Sequence, residues 1–207
     1  MDDGARWDAR HRDAPDPVPR APDGLVGLGD ALPAGGLALD VACGLGAATL
    51  WAARSGFTVD ALDASPVALA RLASHAAALG LAGPVRARVA DLTGGLPADL
   101  VGPYDLIVCQ RFRDPAVHRS LPGLLAPGGL LVVTVLSEVG APTPSRFAAG
   151  AGELSRLARA SGCRVLRDVE GDGRATIVLR RPGPPSGSGH GAPREHGEEE
   201  PHGMESS

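Results

Sequence analysis

The sequence contains no lysine and no asparagine, and only 6 of its 207 residues are aromatic. The absence of lysine excludes chemistry that needs a lysine amine, which includes Schiff-base catalysis and the lysine of Walker-type phosphate loops. Because aromatic residues are so few, the core must be built from Ala, Leu and Val. A chain of this length allows one domain with tails.

Long apolar stretches are absent too. No run of 18 apolar residues occurs, so no membrane span is expected. Residues 1–20 are charged and rich in proline, without the apolar segment of a secretory signal. The three cysteines, Cys43, Cys109 and Cys163, form no CxxC pair, which is typical of reduced thiols. These features predict a cytoplasmic protein with no membrane partner.

The negative charge is confined to the C-terminal end. Residues 182–207 contain 6 Gly, 5 Pro, 5 Glu and 1 Arg, a composition that predicts a disordered tail. Residues 1–181 carry 19 Arg and 19 acidic residues, so they are neutral and give no electrostatic reason to expect nucleic-acid binding. His190, His196 and His202 lie six residues apart in the tail; we interpret them as solvated and predict no metal site.

Apolar runs alternate with helical segments from residue 37 onwards. Strands are predicted at 37–42, 57–62, 85–90, 105–109, 129–136, 163–169 and 175–180, and helices at 47–55, 66–79, 115–125 and 153–161. This alternation predicts an α/β fold with a doubly wound, mostly parallel seven-stranded sheet. The short link Gly171–Gly173 requires an antiparallel pair at the end. Residues 1–36 are expected to be a partly ordered extension.

The turn after the first predicted strand carries the main functional signal. This strand ends in Asp40-Val-Ala-Cys-Gly44-Leu-Gly46, and two glycines allow a tight turn and close approach of a ligand. Asp63 ends the second strand, where a carboxylate accepts both hydroxyls of a ribose. Together they predict an adenosine-containing ligand. The alternatives are a plain strand-to-helix turn for the glycines and a helix cap for Asp63.

Two nucleotide-binding classes are disfavoured. Thr49 occupies the third glycine position of the dinucleotide pattern GxGxxG, which argues against a nicotinamide cofactor. No GxxxxGK[ST] sequence occurs, so the chain is not a P-loop protein.

Residues 39–69 (LDVACGLGAATLWAARSGFTVDALDASPVAL) resemble motifs I and II of the class I S-adenosylmethionine-dependent methyltransferases. Ala42 replaces the first glycine of that family's first motif. Asp91-Leu92, residues 103–108 and residues 125–131 resemble its later motifs, so the resemblance covers residues 37–181. It implies a Rossmann-like methyltransferase fold. The Trp7-Asp-x-Arg opening is similar to the tellurite-resistance and small-molecule branch.

The resemblance also implies roles for individual residues. Asp40 would act at the methionine end of the cofactor, Asp63 at the ribose and Asp91 at the adenine amino group; for Asp91, a plain loop carboxylate is the alternative. The cofactor-binding positions that it implies are Asp40, Ala42, Cys43, Gly44, Gly46, Asp63, Ala64, Asp91, Leu92 and Gln110.

The implied function of residues 37–181 is methyl transfer from S-adenosylmethionine to a small-molecule acceptor. The alternative is a non-catalytic cofactor-binding domain that acts as a partner or regulator. Both a monomer and a homodimer remain open, and no catalytic residue is identified.

Several residues are candidates for the acceptor side. Arg111 would hold an anionic acceptor bidentately, or else form a solvated loop pair with Arg113. His118 is a candidate base, although a surface position is favoured for it. Cys43 and Cys109 are expected near one face, as ligands of a soft element or as small core residues. The loop 137–152, which contains Phe147 and Arg146, is expected to form a lid with the N-terminal segment.

Overall fold

The computed structural model describes residues 3–100, 102–143 and 145–183, so nearly all of the predicted tail lies outside it. The strands are β1 (Gly36–Val41), β2 (Phe57–Asp63), β3 (Val85–Val89), β4 (Tyr104–Gln110), β5 (Leu125–Leu136), β6 (Arg164–Gly171) and β7 (Arg174–Arg180). The helices are α1 (Asp3–Arg12), α2 (Ala47–Arg54), α3 (Pro66–Ala78), α4 (Pro115–Ser120) and α5 (Glu153–Ala160).

All seven strands join one sheet in the order β3-β2-β1-β4-β5-β7-β6. Strands β1 to β5 pair in parallel, whereas β7 is antiparallel to both β5 and β6. The mostly parallel, doubly wound sheet is therefore confirmed. The strand order reverses between β1 and β4, and in open sheets of this kind ligands bind beyond the carboxyl ends of the strands at such a point.

The boundaries differ from the prediction mainly around proline. The helix predicted over 115–125 ends at Ser120 and continues as a 3-10 turn over Leu121–Leu124, because Pro122 cannot donate a helical hydrogen bond. Strand β5 begins at Leu125, four residues earlier than predicted. Helix α1 was not predicted.

Two apolar layers cover the sheet. On one face Ile107 and Leu131 pack with α4 and α5 residues such as Val117 and Leu154. On the other face α2 covers Val59 and its neighbours. A separate cluster joins α3 to α2 and β2 through Leu72, Leu50 and Ala61. The segment between β3 and β4 contains no helix among its described residues.

Residues 22–32 form two short 3-10 turns that cover the sheet over β5 and β7. Gly24 lies so close to β5 that a Cβ there would be 2.9 Å from Val132 Cγ1. Arg167 of β6 donates to the carbonyl oxygens of Gly24 at 2.5 Å and Val26 at 2.7 Å. Arg180 of β7 donates to the Ala31 carbonyl oxygen. No helix within the described ranges is long and apolar enough to cross a membrane.

We expect Arg167→Ala to destabilise the protein by about 1–3 kcal/mol, because it removes charge-assisted hydrogen bonds that attach residues 23–26 to the sheet. Urea denaturation would measure the free energy of unfolding. Arg164→Ala is the matched control, since it removes an exposed arginine from the same strand. Equal effects of the two substitutions would contradict this role for Arg167.

Candidate active site

The turn between β1 and α2 has an unusual backbone. Ala42, Gly44 and Gly46 all have left-handed φ angles, of 56°, 54° and 84°. A left-handed conformation costs a residue with a Cβ roughly 1–2 kcal/mol, so Ala42 is strained where the related motif has glycine. At Gly46 a Cβ would lie 2.3 Å from Leu72 Cδ1, and the turn therefore requires glycine there for packing as well.

Asp63 ties this turn to the end of β2. Its Oδ2 accepts a hydrogen bond from the Gly44 N–H at 2.7 Å, and its Oδ1 accepts one from the Ser65 N–H at 2.9 Å. Ser65 itself caps α3, because its side chain accepts from the Ala68 N–H at 3.1 Å. The helix therefore does not require Asp63 as its cap. Asp63 instead shapes the turn, and its carboxylate faces the glycines that the sequence assigns to a ligand.

Asp40 is a buried carboxyl group close to the same turn. Its side chain accepts a hydrogen bond from Thr49 Oγ1 at 2.6 Å, and only 4% of the residue is exposed. Burial, together with the negative charge of Asp63, raises the pKa of Asp40 to about 7. No cationic side chain of the described ranges pairs with it. A ligand that brings positive charge to this place would therefore be stabilised by the ionised form.

The remaining predicted cofactor residues lie along the same edge of the sheet. Gln110 ends β4, and Ala64 follows β2. Leu92 is buried in the core, whereas Asp91 is exposed and accepts hydrogen bonds from the backbone N–H of Thr93 at 2.9 Å and its hydroxyl at 2.7 Å. These contacts lower the pKa of Asp91. The loop role and a ligand role for Asp91 are compatible, because each carboxylate oxygen accepts two hydrogen bonds.

The expectation that Cys43 and Cys109 share a face is wrong. Cys109 packs in the layer beneath α4, whereas Cys43 packs against the α2–α3 cluster on the other side of the sheet. The left-handed Ala42 turns the chain before Cys43. Burial raises the pKa of both thiols, which disfavours the reactive thiolate.

His118 is not a surface histidine. It is 2% exposed, its Nε2 lies 3.1 Å from the Phe112 carbonyl oxygen, and burial lowers its pKa. Arg113 forms a bidentate ion pair with Glu153, at 2.8 and 2.6 Å, and so is not half of a solvated loop pair. Arg111, in contrast, is exposed, has a left-handed φ of 59° and makes no side-chain hydrogen bond or ion pair with the described residues.

Helix α1 lies across the glycine turn. Asp8 accepts hydrogen bonds from Ser65 Oγ at 2.5 Å and the Val67 N–H at 3.2 Å, which attaches α1 to the start of α3. Arg71 of α3 donates to the His11 carbonyl oxygen at 2.6 Å. The His11 ring covers Gly44, since a Cβ on Gly44 would lie 3.4 Å from His11 Cε1. Burial lowers the pKa of His11, so its ring is neutral at pH 7.

The cavities beside α4 are separate from the glycine turn. Two surface cavities, of about 270 and 370 Å³, flank α4. One is lined by His118 and α5, the other by residues 95–100, and neither is lined by Gly44 or Asp63. Sequence reasoning missed the placement of His11 over the turn. Helix α1 has no apolar periodicity that would have indicated this placement.

Comparisons with known proteins identify methyltransferases among the similar proteins. A family model described as a methyltransferase domain matches residues 38–129. A ubiquinone biosynthesis O-methyltransferase of Caulobacter sp. (strain K31) is 40% identical over 105 residues, which make up 48% of this chain and 40% of that protein. A release factor glutamine methyltransferase of Cereibacter sphaeroides is 35% identical over 199 residues, with 82% of this chain and 67% of that protein covered.

Solved structures extend the likeness in fold. TehB from Haemophilus influenzae matches with a TM-score of 0.60 and 20% identity, over 70% of this chain and 57% of that chain. The chain spans about half the length of the ubiquinone biosynthesis relatives that it matches.

We expect Gly46→Ala to destabilise the protein by about 2 kcal/mol more than Gly80→Ala. Both glycines have left-handed φ angles, so both substitutions strain the backbone, but only the Cβ at Gly46 collides with Leu72. Gly80 has open space around it and serves as the matched control. Urea denaturation of both variants gives the difference, and a similar loss in both would contradict the packing requirement.

We expect the stability difference between Asp40→Asn and the wild type to depend on pH. The folded pKa of Asp40 lies above its ordinary value of 3.8, so folding favours the protonated form and wild-type stability falls as pH rises towards 7. Asparagine cannot ionise. The variant should therefore gain about 2–3 kcal/mol relative to the wild type between pH 5 and pH 8. Parallel profiles in denaturant unfolding would show that Asp40 does not titrate in this way.

Proposed function

The chain belongs to the class I S-adenosylmethionine-dependent methyltransferases, and we propose that it transfers a methyl group from S-adenosylmethionine to a small-molecule acceptor. The observation that carries the proposal is the glycine turn at the reversal of strand order, which holds two carboxylates from neighbouring strands. Asp40 is the second-to-last residue of β1, and Asp63 ends β2 and accepts a hydrogen bond from the Gly44 N–H.

The residues of the turn fit this cofactor chemically. S-adenosylmethionine has a positive sulfonium centre, an ammonium group and a ribose diol. Asp40 is a buried carboxyl group that lacks a cationic partner among the described residues, and Asp63 is a carboxylate beside two left-handed glycines. A buried carboxylate favours a nearby cation, and a carboxylate is a good acceptor for two hydroxyls.

The protein's part in the reaction is binding and orientation. When bound, the cofactor supplies an electrophilic methyl carbon, to which the acceptor's lone pair bonds while the carbon–sulfur electrons remain on sulfur. Gly44 and Gly46 would permit close approach of the cofactor, Asp63 would hold its ribose, and Leu92 would contact its adenine. Holding both reactants in line contributes roughly 7–11 kcal/mol to such a transfer. Helix α1 covers part of the turn through His11.

A non-catalytic, cofactor-binding partner protein is the weaker reading. The relatives reported above are named as methyltransferases, and the missing first glycine is replaced by an alanine that adopts the same left-handed conformation. We also propose a cytoplasmic location, which the reduced cysteines support.

We expect calorimetry to show micromolar binding of S-adenosylmethionine to the full chain and a loss of that binding in Asp63→Ala. Asp63→Asn, which keeps one acceptor for the Gly44 N–H, separates a folding defect from loss of the carboxylate. Asp99→Ala removes an exposed carboxylate from the β3–β4 segment and should bind normally. Absence of binding by the intact chain would overturn the proposal, and absence of label transfer from methyl-labelled cofactor into any metabolite would restore the partner-protein reading.

A further inference from the structure

Three arginines and two aromatic rings alternate above the glycine turn. The Arg6 guanidinium lies 5.4 Å from the centre of the Trp7 ring and 5.7 Å from that of Phe147. Arg10 lies 5.4 Å from the Trp7 ring, and Arg146 lies 4.7 Å from the Phe147 ring. We call these five residues the arginine–aromatic array. It joins α1 to the β5–α5 loop, so both expected components of the lid contribute to it.

The array lies next to the proposed cofactor site. The His11 ring separates it from the glycine turn. The Trp7 ring stacks on the His11 ring with centres 5.8 Å apart, and His11 covers Gly44. Contacts therefore run from the glycine turn through His11 to Trp7 and on to Phe147.

Two of the three guanidinium groups of the array, those of Arg10 and Arg146, are not neutralised by carboxylates of the described residues. Asp8 accepts hydrogen bonds from the start of α3, and Glu138 accepts one from the Ala151 N–H. Within the described ranges, Arg10 and Arg146 form no ion pair with a carboxylate. Guanidinium groups stack on aromatic faces because they are planar and weakly hydrated, and stacking leaves their N–H groups able to donate.

The Trp7 and Phe147 rings lie partly exposed and outside the core, although aromatic residues are scarce in this chain. It has only 6 aromatic residues, yet Phe147 is 50% exposed and Trp7 is half-buried. Neither ring belongs to an apolar core cluster of the described residues. Exposed rings beside cations place apolar surface next to guanidinium groups, which hold a planar anion through paired N–H donors.

We infer that the methyl acceptor is a planar, anionic molecule, with a carboxylate or a similar group, and that the arginine–aromatic array binds it. This inference rests on the proposed function, because it gives the substrate class of the same site. The carboxylate of the cofactor's own methionine has the same chemistry, so the test separates the two sources of an anion.

The test uses benzoate, benzamide and acetate as probes of charge and shape. The full chain with Trp51→Phe keeps Trp7 as its one tryptophan, whose fluorescence reports binding, with S-adenosylhomocysteine at saturation. We expect benzoate to bind at least tenfold more tightly than benzamide, which has the ring but no charge, or acetate, which has the charge but no ring. Calorimetry on the wild type checks that Trp51→Phe does not alter the result.

Substitutions locate the binding site of the anion. Arg146→Gln should weaken benzoate binding at least fivefold and change S-adenosylhomocysteine binding less than twofold. Arg54→Gln removes an exposed charge at the far end of α2 and should change neither. Equal binding of benzoate and benzamide, no benzoate binding, or equal effects of the two substitutions would overturn the inference.

One further outcome distinguishes an anionic acceptor from the cofactor's own carboxylate. Another distinguishes failure of this inference from failure of the proposed function. Weaker S-adenosylhomocysteine binding in Arg146→Gln would assign the array to the cofactor's carboxylate and overturn the acceptor assignment. The benzoate-to-benzamide ratio is also measured without S-adenosylhomocysteine. If S-adenosylhomocysteine does not bind but benzoate still binds at least tenfold more tightly than benzamide, the proposed function is contradicted and the anion site is not.

Discussion

The hydrogen bond from the Gly44 N–H to the Asp63 carboxylate fixes the relative positions of the turns that follow β1 and β2. The same carboxylate accepts from the Ser65 N–H, and so positions the first turn of α3 as well. Ser65 in turn donates to Asp8 of α1. One carboxylate thus connects the glycine turn, a helix start and, through Ser65, the helix that covers the site. Functional geometry and local folding depend here on the same atoms.

The sheet could be predicted from sequence because its signals are local. Central strands such as β4 are buried on both faces and appear as continuous apolar runs, and edge strand β3 alternates with arginine. The Asp172-Gly173 turn has two left-handed residues, which an Asp-Gly pair supplies readily. In each case a few neighbouring residues determine the conformation.

The cover over the site could not be predicted in the same way. Helix α1 has no aliphatic stripe, and Trp7, Asp8 and His11 face inward instead. Its attachments are polar contacts with α3, about 60 residues away in the chain. Such contacts leave no periodic pattern in the sequence. His118 shows the opposite case, because its helical spacing with Val117 and Leu121 was a signal that it is buried.

The net charge of zero over residues 1–181 does not describe the electrostatic potential near the candidate active site. Residues 1–181 have equal numbers of arginines and acidic residues, yet the carboxylates near the turn accept hydrogen bonds from backbone N–H groups and hydroxyls. A carboxylate used in this way stabilises a turn or a helix start and is less available to neutralise a neighbouring arginine. Local folding of the acidic residues therefore leaves cationic charge on Arg10 and Arg146, in a part of the chain whose net charge is zero. With no lysine in the chain, that charge is carried by guanidinium groups, which bind planar anions through paired N–H donors.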